Sequence, residues 1–169
     1  SPHYILLGGD HTLSYPSLRV MAQRYGPISL IHFDSHFDTW NEYFGEKMTH
    51  GTPFRRAIEE GSLEVSHSIH VGIHGSLQDY SDLSNDKELG FSTVFGHEID
   101  TIGLDGIVDK IKKRVGNSHP IYVSIDVDVV DPAFAPGTGT PEVGGWSSRE
   151  VIYILRKLKG LPIIGGDVV

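Results

Sequence analysis

Short apolar runs alternate with longer stretches of helical periodicity along the whole chain. Runs at residues 4–7, 28–33, 68–73, 92–95, 121–127 and 162–164 are rich in Ile, Val, Leu and aromatics, and several are apolar at consecutive positions. That is how strands buried on both faces of a parallel sheet read. Between them, residues 13–25 place Leu18, Met21, Ala22 and Tyr25 at helical spacing and stop at Gly26-Pro27. Residues 52–60 open with Pro53 in a first-turn position and end at Gly61. Residues 105–115 carry Ile107, Val108, Ile111 and Val115 on one stripe before Gly116, and residues 148–159 carry Val151, Ile154, Leu155 and Leu158 before Gly160. Strand–helix–strand units of this length predict a parallel α/β sheet with right-handed crossovers. Two stretches break the rhythm. Residues 75–90 are polar and read as an exposed loop with at most a turn of helix. Residues 131–147 are rich in Gly and Pro and read as a long irregular loop, of the kind that is functional or disordered.

Length and charge narrow the class. The 169 residues, 38% hydrophobic and 21% charged, suit one globular domain. Acids outnumber bases 22 to 14, and a formal charge of −8 argues against nucleic acid or an anionic membrane as partner. No cysteine is present, which removes thiolate metal sites, disulfides and a cysteine nucleophile. No apolar run approaches a membrane span, and no signal peptide opens the chain; the expectation is a cytoplasmic protein. Both ends fall in apolar stretches, Tyr4-Ile5-Leu6-Leu7 and Val168-Val169, and no Met opens the chain. Chain termini are ordinarily polar, so the expectation is a fragment, residues 1–169 forming part of one domain.

Three clusters carry the chemistry, and each follows an expected strand: Gly8-Gly9-Asp10-His11, Asp34-Ser35-His36-Phe37-Asp38 and Asp126-Val127-Asp128. Open parallel sheets bind ligands beyond the carboxyl ends of their strands. In extended chain, alternate residues share a face, so Asp34, His36 and Asp38 would point together, as would Asp126 and Asp128. Grouped carboxylates raise one another's pKa unless a cation offsets them, and no Lys or Arg lies inside any cluster. Four Asp and two His form an oxygen-rich, partly imidazole donor set that suits Mn²⁺, with Co²⁺, Fe²⁺, Zn²⁺ or Ni²⁺ as alternatives. Six donors are too many for one ion that keeps a reactive water, so two ions with a bridging hydroxide are expected. Two divalent ions against four aspartates and one hydroxide leave the site at about −1, which suits a cationic substrate. Taken singly, an Asp-x-Asp at a strand end is more often a turn or cap, and Asp10 could cap the next helix.

These motifs resemble those of the ureohydrolase family, which comprises arginases, agmatinases and related amidinohydrolases. The resemblance spans Gly-Gly-Asp-His (8–11), His-Phe-Asp-Ser-His-Phe-Asp (32–38), His-Gly-Thr-Pro-Phe-Arg-Arg-Ala (50–57), Ser-Ile-Asp-Val-Asp (124–128) and Asp-Pro-Ala-Phe-Ala-Pro-Gly-Thr-Gly-Thr-Pro-Glu (131–142), in family order. It implies a three-layer αβα arrangement with a mainly parallel sheet, the arginase/deacetylase-like fold, here incomplete. It also implies two Mn²⁺ ions per subunit, one held by His11, Asp34, Asp38 and Asp126 and the other by Asp34, His36, Asp126 and Asp128. His50 matches the family's proton-shuttling histidine; an imidazole titrates near neutrality, although a His beside a helix start can also act as a cap. The chain departs from the family in three ways. The strands that precede Gly8 in relatives are missing, and the glutamate that grips the guanidinium would be the residue after Val169. Where arginases hold the substrate's α-amino group with acids, this chain reads His74-Gly75-Ser76-Leu77, which favours an agmatinase or a relative of one.

The expected reaction is hydrolysis of a small cationic guanidino compound, agmatine foremost, to urea and an amine. Guanidinobutyrate, guanidinopropionate, proclavaminate precursors and arginine are the alternative substrates. A catalytically incomplete metal-binding fragment is a rival of another class. A metallophosphoesterase would need a Gly-Asn-His block after its Asp-x-His, and the sequence has none. The family also implies a homo-oligomer, trimeric or hexameric. Trp40 and Asn41 read as exposed loop residues near the entrance, Arg55 and Arg56 as solvated, and His32 as a structural residue facing away from the ligands. His3, His67, His70, His74, His97 and His119 receive no role.

Overall fold

The computed structural model describes residues 3–169. Six strands form one sheet: β1 Tyr4–Leu7, β2 Ser29–Phe33, β3 Ile69–Ile73, β4 Ser92–Phe95, β5 Ile121–Ile125 and β6 Ile163–Val168. Their order is β1-β6-β5-β2-β3-β4, and every pairing is parallel. The helices between them are α1 Ser14–Tyr25, α2 Pro53–Glu59, α3 Ser81–Leu89, α4 Ile99–Val115 and α5 Ser148–Lys157.

Alternation along the central strands sorts side chains into two cores, which makes three layers. On one face Ile31, Phe33, Ile69, Val71, Ile121 and Val123 pack under Ile107, Ile111, Val151 and Ile154 of α4 and α5. On the other, Leu30 and Tyr122 pack under Leu18 and Met21 of α1 and Phe54 and Ala57 of α2. β2 and β3 are buried at all five of their positions, as their continuous apolar runs foretold.

The structure departs from the sequence reading in places that have local causes. Residues 81–89 form a helix where only a turn was expected. Its sole buried residue is Asp86, so an apolar stripe could not have revealed it. α4 starts six residues before the expected helix because it is two helical pieces joined across Gly103, whose φ of 66° breaks the periodicity. β6 runs on through Gly165-Gly166, residues that normally argue against a strand interior. Here a Cβ on Gly166 would come within 2.4 Å of the Val123 carbonyl oxygen, so β6 lies against β5 only because that carbon is missing. β5 ends at Ile125, two residues early, since the Asp126 side chain accepts from the Asp128 amide and turns the chain into a short 3₁₀ helix. Residues 131–147 are irregular as expected, anchored by buried Trp146, whose Nε1 donates to the Gly96 carbonyl at 2.8 Å.

Candidate metal centre

All six expected ligands converge beyond the carboxyl ends of β1, β2 and β5. His11 Nδ1 lies 3.1 Å from Asp34 Oδ2, 2.8 Å from Asp38 Oδ2 and 3.6 Å from Asp126 Oδ2. His36 Nδ1 lies 3.1 Å from Asp128 Oδ2 and 3.4 Å from Asp34 Oδ1. Asp34 is thus common to both groupings.

The convergence does not come from strand alternation. β2 ends at Phe33, and Asp38 adopts a left-handed backbone with φ of 54°. The expectation of an extended 34–38 segment is therefore corrected: the chain coils, and its own carboxylates hold the coil. Asp34 Oδ1 accepts from the His36 amide at 2.6 Å, Asp128 Oδ1 from the Ser35 amide at 2.9 Å, and Asp126 Oδ1 from the Asp128 amide at 2.9 Å. The cap reading of Asp-x-Asp and its placement in the site are both true of the same residues. Asp10 caps the 3₁₀ turn at His11–Leu13 by accepting from the Thr12 amide and remains exposed. Gly75 backs the cup closely, for a Cβ there would meet the His36 ring and the Ser35 carbonyl oxygen at 2.9 Å.

Electrostatics show what the cup lacks. Burial raises the Asp126 carboxyl, and the charges of Asp34 and Asp128 add to that, to about 8. Burial, then the Asp34 charge, also raises Asp38. Burial opposes charge on His36, yet its bonds to Asp128 and Asp34 outweigh that and lift it to about 11. His11 is pushed well up against the same burial penalty by Asp34 and Asp38. Burial would raise Asp34 as well, but His32, His11 and His36 hold it well below the usual carboxylate range. Protons on His36, His11 and Asp126 would therefore balance the grouped carboxylates wherever no cation does.

The donor set fits a metal ion by an independent criterion. Ser124 Oγ donates to Asp167 Oδ1 at 2.6 Å, so it must accept from His11 Nε2 at 2.7 Å. A neutral His11 then has a bare Nδ1, which is fully buried, has no hydrogen-bond partner and faces three carboxylates. A cation between them resolves that repulsion, and the Asp167–Ser124–His11 chain fixes the tautomer that a metal needs. Tyr122 and Ser14 complete the Asp167 shell at 2.8 and 2.7 Å. Replacing Ser124 with Ala should weaken divalent-ion binding by ~10-fold, read by competition with a chromogenic chelator.

Several other expectations change. His32 lies on the ligand side of the sheet, not away from it: it shares the parity of Asp34, and its Nε2 is 2.8 Å from Asp34 Oδ2. With His11 and Asp34 it places donor atoms within 4.8 Å of one another, but its Nε2 is taken up by Asp34. Burial keeps it neutral, lowering its pKa to about 3. Arg56 is not solvated; it is buried and its Nη2 donates to the Asn41 carbonyl at 3.1 Å and to Glu59 at 3.0 Å, holding the loop after Asp38. Trp40 is half-buried, with its ring against Gly51 and stacked on Tyr43 at 5.1 Å.

A cavity of about 240 Å³ opens on the cup, bordered by Asp38, Trp40, Tyr43, His50 and Glu142 among others. His50 stands edge-on to Tyr43 at 5.3 Å, in the turn before α2. Thr140 and Glu142 lie within the quoted motif but carry no signal of their own in the sequence. Thr140 Oγ1 donates to Asp128 Oδ2 at 3.0 Å, and Glu142 Oε1 accepts from Ser76 Oγ at 2.6 Å while facing His36 Nε2 at 3.4 Å. Only folding of the 131–147 loop over the cup brings them in.

An Asp/His cup at the carboxyl edge of a parallel αβα sheet is a ureohydrolase arrangement, and the chain belongs to the arginase family, whose model matches residues 1–169. It is 47% identical over 175 aligned residues to "Putative agmatinase 1" of Schizosaccharomyces pombe, covering 99% of this chain and 44% of that protein. It is 44% identical over 164 residues to "Guanidinopropionase" of Pseudomonas aeruginosa, covering 96% and 51%. The solved structure of proclavaminate amidino hydrolase from Streptomyces clavuligerus superposes with a TM-score of 0.90 at 41% identity, covering 98% of this chain and 55% of that one. The chain spans about half the length of the relatives it matches. Among the described residues, no helix is long and apolar enough to cross a membrane.

Proposed function

We propose that this chain carries the metal centre of an amidinohydrolase that cleaves the guanidinium group of a small linear cation, agmatine foremost, to urea and an amine. The reading is carried by one observation: the cavity on the cup is bordered by two carboxylates, Asp38 and Glu142, with no Lys or Arg among its lining residues. Such a wall favours a cation and disfavours a substrate with a carboxylate tail. The stacked Trp40–Tyr43 pair offers ring faces suited to a terminal ammonium.

His11, Asp34, Asp38 and Asp126 would hold one divalent ion, and Asp34, His36, Asp126 and Asp128 the other. The oxygen-rich donor set suits Mn²⁺. When bound, such ions would supply an activated water as the nucleophile. The chain's own groups do the rest. The Trp40–Tyr43 wall and the carboxylates orient the substrate. His50, at the mouth of the cavity, moves a proton between the leaving amine and solvent. His50→Ala should slow turnover by ~10²-fold with little change in metal content, measured by urea release and metal analysis.

A guanidino acid is the second reading, because Arg55 borders an adjoining cavity that shares Trp40 and Gln78 with the first. Urea release by the full-length protein with Mn²⁺ separates them. Agmatine turned over well above guanidinobutyrate, guanidinopropionate and arginine supports the cationic reading. Preference for a guanidino acid, abolished in Arg55→Ala, sinks it.

A further inference from the structure

A second line of buried polar groups leaves the cup and runs into the apolar interior. The sheet register pairs His32 of β2 with His70 of β3, and both are fully buried. Their Nδ1 atoms lie 2.7 Å apart. At the inner end His32 Nε2 is 2.8 Å from Asp34 Oδ2. At the outer end His70 Nε2 is 3.1 Å from Asp86 Oδ1, to which Thr39 Oγ1 also donates at 3.0 Å. Five side chains thus run end to end, from Asp34 through His32, His70 and Asp86 to Thr39. Rings seal the line: Phe54 lies 4.4 Å from His32, and Phe91 lies 4.1 Å from His70.

The cup fixes the direction of these bonds. A carboxylate only accepts, so Asp34 takes the hydrogen of His32 Nε2. A neutral imidazole carries one hydrogen, which leaves His32 Nδ1 bare. Two bare nitrogens cannot face each other at 2.7 Å, so His70 Nδ1 is the donor. Asp86 Oδ1 meets His70 Nε2 at the far end of the line. Asp86 is also the only fully buried residue of α3, whose Leu89 packs partly buried against the core.

We propose that His70, held by Asp86, is a positioning residue for the metal centre: it locks His32 in the Nε2–H tautomer and thereby fixes Asp34 Oδ2 in its place opposite His11. The role rests on the reading that Asp34 binds the metals. Without the His70 donor, His32 has no reason to keep its hydrogen on Nε2, and the rotation of Asp34 loosens.

The full-length protein tests this with two variants. His70→Leu removes the donor, whereas His70→Asn sets an amide where Nδ1 stood and can donate to His32. In the metal-free protein, ¹⁵N–¹H correlation NMR should show the His32 hydrogen on Nε2 in the wild type and in His70→Asn, and shared between both nitrogens in His70→Leu. Mn²⁺ binding by chelator competition should weaken ~10- to 100-fold in His70→Leu and recover in His70→Asn. Wild-type affinity in His70→Leu overturns the role, as does an equal loss in both variants. Should His70→Leu not fold, a His32 hydrogen on Nδ1 in the wild type overturns it. If Asp34→Ala loses the metal while His70→Leu keeps it, the positioning role alone falls. If the wild type binds no Mn²⁺, the metal reading falls and takes the role with it.

Discussion

Replacing Asp34 with Ala should lower Mn²⁺-dependent urea release by the full-length protein on the order of 10³-fold or more. The expectation follows from the geometry, since Asp34 contacts both imidazoles of the cup, with Oδ2 3.1 Å from His11 and Oδ1 3.4 Å from His36. Removing it deprives both proposed ions of a ligand and unties the His36 amide that Oδ1 holds at 2.6 Å. Loss of both ions forfeits several kcal/mol of transition-state stabilisation, and each 1.36 kcal/mol is roughly tenfold in rate. Asp10→Ala is the matched control. It removes an exposed cap from the turn before α1 and should cost about 1 kcal/mol of stability while leaving metal content near wild type. Metal analysis beside the kinetics makes the test decisive. Retained turnover in Asp34→Ala would refute the ligand assignment.

Acidity gives the second large effect. In the metal-free cup His36 titrates at about 11 and Asp126 at about 8, so below pH 8 both hold protons that must leave when cations enter. Since His11 is also held well above its ordinary value, the binding constant for Mn²⁺ should rise by about 100-fold or more per pH unit between pH 6 and 7.5, seen in chelator competition and as proton release in calorimetry. Stability follows with opposite signs in the two forms. Asp126 in the folded chain lies above its ordinary value of 3.8, so its contribution is full below that value and lost as pH rises towards 8. The His36 contribution is full below 6.5 and lost as pH rises towards 11. The depressed Asp34 acts only in acid below 3.8, outside this window. Metal-free protein should therefore melt at lower temperature at pH 8.5 than at pH 6, and Mn²⁺-saturated protein at higher temperature. A flat affinity between pH 6 and 7.5 would mean that the grouped residues are not the ligands.

The sheet was legible because its central strands are buried on both faces and so read as unbroken apolar runs. The cup was legible because all of its donors lie in three short motifs. What was hidden is what depends on partners remote in sequence. Asp86 gave no sign of burial, since the helix that carries it is mostly polar and has no apolar stripe. His70 looked like one more histidine until the β2–β3 register set it against His32. The coil at 34–38 was misjudged as extended because carboxylates that accept from neighbouring amides turn the chain, and no alternation pattern records such bonds. Gly165-Gly166 masked the length of β6, because the close approach they permit shows only once β5 lies alongside.

Asp34, Asp126 and Asp128 each spend one oxygen on a backbone amide, so the main chain itself sets how these carboxylates face one another. Donors held this firmly have little means of refusing a competitor ion of similar size. Among first-row divalent ions such a rigid nitrogen–oxygen cup would rank copper, nickel and zinc above manganese by intrinsic affinity. The ion found in a preparation would then depend on which metal its host or growth medium makes abundant.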